Sequence, residues 1–182
     1  MISRFLRKLG LAVSMIPAAL IAACEEGPNV VVNFSLGGNV VDNFVYASSK
    51  GPVLVEIHGN PIAPRPVEDL AQMVLEEMKS SVVDRVVSFT VYPEEAPSPN
   101  IKIIALFDGA ATQSGAKLCE GRAPSAAEPE REKINLRLVY CSDGERMSDV
   151  QGWIKRPENL DEARLRKLIW HATSSLLSSS DH

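Results

Sequence analysis

The chain has few side chains whose types and spacing could carry out chemistry, and the clearest case is a serine followed by a lysine. Ser114 and Lys117 lie three positions apart in "SGAK", a spacing that lets a lysine activate a serine when both lie on one helix. This stretch contains Gly115, falls in a segment predicted to be a loop, and has no K-T-G motif downstream. We interpret it as a chance match.

The second candidate is the histidine of "EIHGN". His58 and Glu56 are two positions apart at the end of a predicted strand, so their side chains share one face and can pair. The position after His58-Gly59 is Asn60, so this motif contains no cysteine that could act as a nucleophile. The sequence therefore predicts a His–Glu pair at most, and we assign no catalytic residue.

Other reactive groups give equally weak signals. Glu76 and Glu77 are adjacent, so their carboxylates point apart and suit solvent better than acid/base catalysis. Trp153 and Trp170 could pack in the core or present a platform for a ligand. There is no CxxC motif, and the only histidines are His58, His171 and His182, so we predict neither a metal site nor a cofactor.

Residues 1–23 have the pattern of an export signal. Arg4, Arg7 and Lys8 precede an apolar stretch over residues 9–23. About 15 helical residues rise roughly 22 Å, less than the ~30 Å hydrocarbon core of a bilayer. Pro17 would also remove a backbone hydrogen bond from a spanning helix. A basic start, a short apolar run and small residues at its end are typical of a cleaved signal.

The segment Ile21-Ala22-Ala23-Cys24 resembles the lipobox of bacterial lipoproteins. In that family the cysteine thiol is joined to diacylglycerol, and a signal peptidase cuts before the cysteine, which becomes the acylated N-terminus. The resemblance implies a signal peptide over residues 1–23, lipidation at Cys24 with chains such as palmitate, and attachment to a membrane through the lipid. Each buried acyl CH₂ contributes about 0.8 kcal/mol, so several chains anchor firmly. The alternative is an ordinary secretory signal.

The residues after Cys24 bear on the location. An Asp directly after the cysteine tends to keep such lipoproteins in the inner membrane, and Glu25 departs from that pattern. The resemblance therefore favours the outer membrane, with the domain facing the periplasm. Residues 24–29 would form a tether of ~17 Å at most, followed by a single domain over residues 30–178 that lies near the membrane.

The charge of the chain argues against nucleic acid as a partner. The full sequence has 19 Lys+Arg and 23 Asp+Glu. Loss of residues 1–23 removes Arg4, Arg7 and Lys8, which leaves 16 basic and 23 acidic residues and a formal net charge of −7. A nucleic-acid binder needs a basic face, so we expect none of that activity.

Cys119 and Cys141 remain after the signal is removed and favour a disulfide bond. An even number of cysteines in an exported chain is typical of such a bridge. The bond would require Cα atoms within ~7 Å of each other. The alternative is two free, buried thiols.

Hydrophobic patterning predicts the element order β-β-β-α-β-β-β-β-α. The strands are expected on either side of Gly37-Gly38, in PVLVEIHG, in RVVSFTVY, in IKIIALF, and in a hairpin that turns at Asp143-Gly144. A two-residue register in that hairpin would set Leu138 opposite Asp149, so we expect a bulge near Ser148.

Two amphipathic helices are predicted. The first has the apolar stripe Val67, Leu70, Ala71, Val74 and Met78. The last runs from Leu160 to about Leu177 after a capping box of Asn159 and Glu162, with the buried stripe Leu165, Leu168, Ile169, Ala172 and Leu176. Strands joined by short turns then predict an α+β fold, a mainly antiparallel sheet with two helices packed on one face.

Residues 108–132 form the longest predicted loop. They are rich in Gly, Ala, Ser, Pro and Glu, and loops of this length are unusual unless they are mobile or functional. We expect deletion of Arg122 to Glu130 to leave the fold intact and to weaken partner capture. The alternative is a tolerated surface insertion.

Three functions remain open at this point. The first is a non-catalytic envelope lipoprotein that binds a protein partner or assists envelope assembly. The second is a lipid-anchored cell-wall hydrolase, which a pocket uniting His58 with a carboxylate and a hydroxyl would favour. The third is a small-ligand binding module, which a deep apolar cavity lined by Met73, Met78 and Trp170 would favour.

Overall fold

A computed structural model of the chain describes residues 27–110, 112–124, 132–158 and 163–178. The predicted signal peptide over 1–23, the lipobox with Cys24, and the capping box of Asn159 and Glu162 lie outside these residues and stay predictions. Within the described ranges, no helix has both the length and the apolar character needed to cross a membrane.

The described residues form one six-stranded sheet with four α-helices. The strands are β1 (Asn29–Ser35), β2 (Val53–His58), β3 (Phe89–Thr90), β4 (Ile101–Phe107), β5 (Lys133–Ser142) and β6 (Glu145–Lys155). The helices are α1 (Gly38–Lys50), α2 (Val67–Ser81), α3 (Gly115–Cys119) and α4 (Ala163–Leu176).

The strand order is β1-β6-β5-β4-β2-β3. The first three junctions, β1–β6, β6–β5 and β5–β4, are antiparallel, whereas β2 pairs in parallel with both β4 and β3. The predicted α+β class and mainly antiparallel sheet are confirmed. The parallel pairs at one side of the sheet are a difference. Helix α2 carries the chain from β2 back to begin β3, and residues 91–100 carry it back again to begin β4, so that both strands run in the direction of β2.

The predicted strand after Gly37 is wrong, because that segment is helix α1. Its buried residues have a helical spacing: Val40, Phe44 and Ala47 follow each other at intervals of four and three. Gly37 has a φ of 59°, a conformation that glycine adopts readily and that lets the chain leave β1 sharply.

The predicted strand in RVVSFTVY is much shorter in the structure, where only Phe89 and Thr90 pair. Val86 is 96% exposed, so the first part of this run does not cover the core. A single 3₁₀ turn at Pro93–Glu95 follows β3. A proline cannot donate a ladder hydrogen bond, which fits an early end to the strand.

The largest core cluster includes residues of three helices and four strands. Buried side chains of α1, α2 and α4 share one core cluster with alternating residues of β2, β4, β5 and β6. The predicted stripe of α4 is confirmed, since Leu165, Leu168, Ile169, Ala172 and Leu176 are all buried. In α2, Leu70, Val74 and Met78 are buried as predicted, whereas Val67 is 52% exposed and Met73 is buried instead.

The β5–β6 hairpin is confirmed together with its bulge. Asp143 and Gly144 have positive φ values of 51° and 85°, as a type I′ turn requires. Tyr140 lies opposite Ser148 and Cys141 opposite Arg146, so Met147 is the extra residue. The bulge sets Leu138 opposite Val150 instead of Asp149.

Candidate functional site

An open cleft lies between strand β2 and helix α2, and we call it the β2–α2 cleft. Its volume is about 610 Å³, within the usual range for ligand pockets. Its lining comes from three elements: Val55 to His58 of β2, Val67, Glu68, Ala71, Gln72 and Leu75 of α2, and Val91 and Tyr92 after β3.

The cleft exists because β3 ends early while β2 continues. Pairing of β2 with β3 covers only Val53 and Leu54, whereas pairing with β4 continues to His58. On the helix, Val67, Ala71 and Leu75 recur every four residues, so they form a second apolar stripe beside the buried one. The cleft therefore combines a strand edge with an apolar helix face.

Two kinds of charge border the cleft. Glu56 accepts a hydrogen bond from the Lys102 ammonium at 2.8 Å, and its other oxygen lies 3.9 Å from Nε2 of His58. Glu68, in the first turn of α2, is exposed and makes no ion pair within the described residues. Since Glu56 is already paired with a lysine, Glu68 is the carboxylate available to a ligand.

The lining of the cleft includes His58, Glu56, Glu68 and Tyr92. However, Glu56 and His58 lie in register with Ile104 and Leu106, so their side chains are directed to the sheet face opposite α2, and the condition set for a hydrolase is met only in part. In addition, no lining residue is Ser, Thr or Cys. The separation of 3.9 Å between His58 and Glu56 exceeds hydrogen-bonding distance. A nucleophile held by a base that a third group orients is thus not assembled in this cleft.

A second cluster of charges lies on the other face of the sheet and centres on Asp149, and we call it the Asp149 cluster. Asp149 is fully buried and accepts two hydrogen bonds from Arg137, at 2.9 and 2.7 Å. Arg146 donates to it at 3.2 Å and Asn33 at 3.4 Å. The guanidinium of Arg146 also lies 4.0 Å from the ring centre of Phe34.

The Asp149 cluster fastens helix α3 to the sheet. Arg137 donates a hydrogen bond to the carbonyl of Gln113, just before α3. Gly115 lies so close that an added Cβ would come within 2.3 Å of an Asp149 carboxylate oxygen. Every oxygen of Asp149 has a donor from the protein itself, so this cluster is structural.

A disulfide between Cys119 of α3 and Cys141 of β5 also connects this helix to the sheet. The sulfurs of Cys119 and Cys141 are 1.98 Å apart and the Cα atoms 5.4 Å apart, so the expected proximity is confirmed. Both residues belong to a small buried cluster on this face with Ile104, Leu106, Leu118 and Val139.

The predicted loop of residues 108–132 contains helix α3, which corrects the assignment of "SGAK" to a loop. Ser114 precedes the helix and Lys117 lies in its last turn, exposed. Residues 125–131 lie outside the described residues, so the effect of deleting Arg122 to Glu130 stays a prediction.

The remaining candidates take structural positions. Met73 and Met78 are buried in the core, and Trp153 and Trp170 are half-buried. The ring of Trp170 meets that of His171 edge to face, with centroids 4.9 Å apart. The described residues contain no group of three or more His, Cys, Asp or Glu side chains able to hold a metal ion.

Sequence reasoning missed the Asp149 cluster and the roles of Glu68 and Tyr92 in the cleft. One signal for the cluster was present, because a simple hairpin register placed an acid in the interior of β6. A buried carboxylate needs a cation as partner, and Arg137 of β5 is the residue that pairs with it. Nothing in the sequence marked Tyr92, whose position depends on where β3 ends.

Comparisons with known proteins add little to this picture. No protein-family model matches the chain, and no curated protein matches it. Among solved structures, it is similar to a PelC dodecamer from Paraburkholderia phytofirmans, with 13% sequence identity and a TM-score of 0.40. The match covers 83% of this chain and 98% of the other. A likeness of this strength carries no argument about function.

Proposed function

We propose that this chain is a non-catalytic, lipid-anchored bacterial envelope protein that binds a partner protein through the β2–α2 cleft. One observation carries the binding role: the cleft is open and mainly apolar, and it has a carboxylate, Glu68, without an ion-pair partner among the described residues. Apolar pockets with a few polar groups are the usual form of binding sites. The anchor rests on the lipobox resemblance at Cys24, and Glu25 favours the outer membrane.

The positions of the tether and the cleft support this arrangement. The tether would join the domain at β1, an edge strand, and β2 lies four strands away in the order β1-β6-β5-β4-β2. Strands lie about 4.8 Å apart, so the cleft is roughly 19 Å across the sheet from β1. A domain held at β1 would keep the cleft clear of its point of attachment.

The partner-binding proposal is tested by photo-crosslinking in intact envelopes. A photoreactive phenylalanine analogue replaces Tyr92 in the cleft or, as control, Tyr46 on α1. The two tyrosines are 56% and 57% exposed, so they differ in location and not in accessibility. We expect a discrete crosslinked protein from position 92 only. Equal products from both positions, or none from position 92, would contradict the proposal.

The anchor is tested separately by palmitate labelling. We expect the parent to incorporate the label and Cys24→Ser to accumulate as an unlabelled precursor. Equal labelling of the two would remove the lipoprotein assignment and leave the cleft unaffected.

A cell-wall hydrolase is the second candidate, because the lining of the cleft includes His58, Glu56, Glu68 and Tyr92. Its test is digestion of purified peptidoglycan by the purified protein and by His58→Gln. Release of fragments that disappears in the variant would establish the hydrolase. We expect none from either protein.

A further inference from the structure

The outer edge of β2 is open along the cleft. Val53 donates its backbone N–H to the Ser88 carbonyl at 2.9 Å, so odd-numbered residues of β2 direct their backbone groups toward the β3 side. Ile57 lies beyond the last residue that pairs with β3. Its N–H and C=O therefore face the cleft, and no described strand pairs with them there.

An open strand edge beside an apolar helix face is the form of site that binds extended peptides by strand addition. Residues 55–58 offer about 13 Å of edge, the length of roughly four strand residues. Val67, Ala71 and Leu75 of α2 and Tyr92 provide apolar surface beside that edge. Alternate side chains of an added strand would contact this surface, and the others would point away from it.

The charges at the border of the cleft indicate which residues the added strand should carry. Glu56 is paired with Lys102, whereas Glu68 makes no ion pair within the described residues. An apolar strand that carries a lysine or arginine complements this border better than an acidic one.

We infer that the β2–α2 cleft binds an extended segment of the partner, apolar at alternate positions and bearing Lys or Arg, which pairs with the open edge of β2 as an added strand. This inference rests on the proposed function and specifies how the same site would recognise its partner.

The test uses a library of random hexapeptides, selected on the purified mature protein in detergent. We expect enrichment of alternating apolar residues together with Lys or Arg. The best binder is then synthesised with and without N-methyl groups on alternate residues, which abolish strand pairing along one edge. Methylation on the pairing edge should weaken binding by at least about tenfold, and on the other edge much less.

Two substitutions in the first turn of α2 test the charge. Glu68→Lys should weaken the basic peptide about fivefold and improve its Glu-substituted analogue. Asp69→Lys is the matched control, because Asp69 is the next residue and is also exposed in the first turn of α2, but does not line the cleft. It should leave both affinities unchanged.

Several results would overturn the inference. Enrichment of acidic peptides would contradict the charge, and an equal loss of affinity from methylation on either edge would contradict strand pairing. Equal changes of affinity from Glu68→Lys and Asp69→Lys, or peptide binding that Ala71→Trp does not reduce, would contradict the location in the cleft. Self-association that Ala71→Trp abolishes would make a second copy the occupant. If position 92 still crosslinks a partner in envelopes, any of these failures removes strand addition alone. Failure of that crosslink removes the proposed function.

Discussion

The two charged regions of this protein lie on opposite sides of its architecture and differ in how completely their groups are paired. In the Asp149 cluster, a fully buried carboxylate receives four hydrogen bonds from Arg137, Arg146 and Asn33. In the β2–α2 cleft, Glu68 is exposed and without an ion pair among the described residues, and the edge of β2 at Ile57 is open. Both carboxylate oxygens of Asp149 already accept hydrogen bonds, and Nε of Arg146 is the one buried side-chain nitrogen or oxygen without a partner among the described residues. The cleft, by contrast, has both polar and apolar surface available.

This difference in pairing indicates that the Asp149 cluster contributes to stability and the cleft to recognition. Removing one member of a buried ion pair leaves the others charged and unsolvated, so its cost falls on folding. Removing an exposed charge costs the fold little. Substitutions in the Asp149 cluster should therefore change the free energy of unfolding strongly and partner binding little. Substitutions in the cleft should change partner binding strongly and the free energy of unfolding little.

The largest expected effect is that of Asp149→Ala. It leaves Arg137 and Arg146 without their carboxylate and should lower the free energy of unfolding by about 3–5 kcal/mol. Urea titration of the purified protein measures this. Glu68→Ala is the control from the cleft and should change stability by less than about 0.5 kcal/mol. Similar losses from both substitutions would erase the distinction between the regions.

Next in size is the loss of the disulfide that holds α3 on the same face as the cluster. Replacing Cys119 and Cys141 together by serine should lower the free energy of unfolding by about 3 kcal/mol, the value expected for a loop of this length. A thermal melt of this variant beside the parent measures the loss. A melt that does not move would show that the disulfide contributes nothing to stability.

A smaller effect is expected from Gly115→Ala. The added Cβ would lie 2.3 Å from an oxygen of Asp149, and overpacking of this kind costs about 1–3 kcal/mol. Gly38→Ala is the matched control, since nothing lies within 4 Å of its added Cβ and alanine favours a helix. We expect it to be neutral or stabilising in the same urea titration. Equal losses would place the effect in the backbone rather than in the cluster.

A still smaller effect on stability is expected from Ala71→Trp in the cleft. Ala71 is half-buried and lines open space, so the indole can occupy the cleft at a cost within about 1 kcal/mol. Thermal melting checks this, with Ala163→Trp as the control at an exposed helical position. A large loss of thermal stability from Ala71→Trp and not from Ala163→Trp would mean that the space beside Ala71 is filled by the packed core and is not an open binding surface.

Sequence patterns located the elements whose signals are periodic and local. Helical spacing predicted the apolar stripe of α4 that ends at Leu176. The Asp143-Gly144 turn predicted the β5–β6 hairpin, and the mismatch of Leu138 with Asp149 predicted its bulge. Helix α1 was missed because its valine and aromatic residues are common in strands, although Val40, Phe44 and Ala47 recur at intervals of four and three, which place them on one face of a helix.

The cleft could be predicted only in part. His58 and Glu56 were singled out from their spacing, and the structure places both there. The binding surface itself depends on β3 ending at Thr90 while β2 continues to His58, and a strand's length is set by its neighbours. Tyr92 and Glu68 enter the site through that tertiary arrangement.

The most direct test of the central claim is the yield of photo-crosslinked partner from position 92 in two backgrounds, Ala71→Trp and Ala163→Trp. Both add an indole to a helical alanine, but only the first fills the cleft. We predict that the crosslinked product disappears in the Ala71→Trp background and persists in the Ala163→Trp background, with both proteins folded by thermal melting. Equal yields in the two backgrounds would contradict the assignment of the cleft as the binding site.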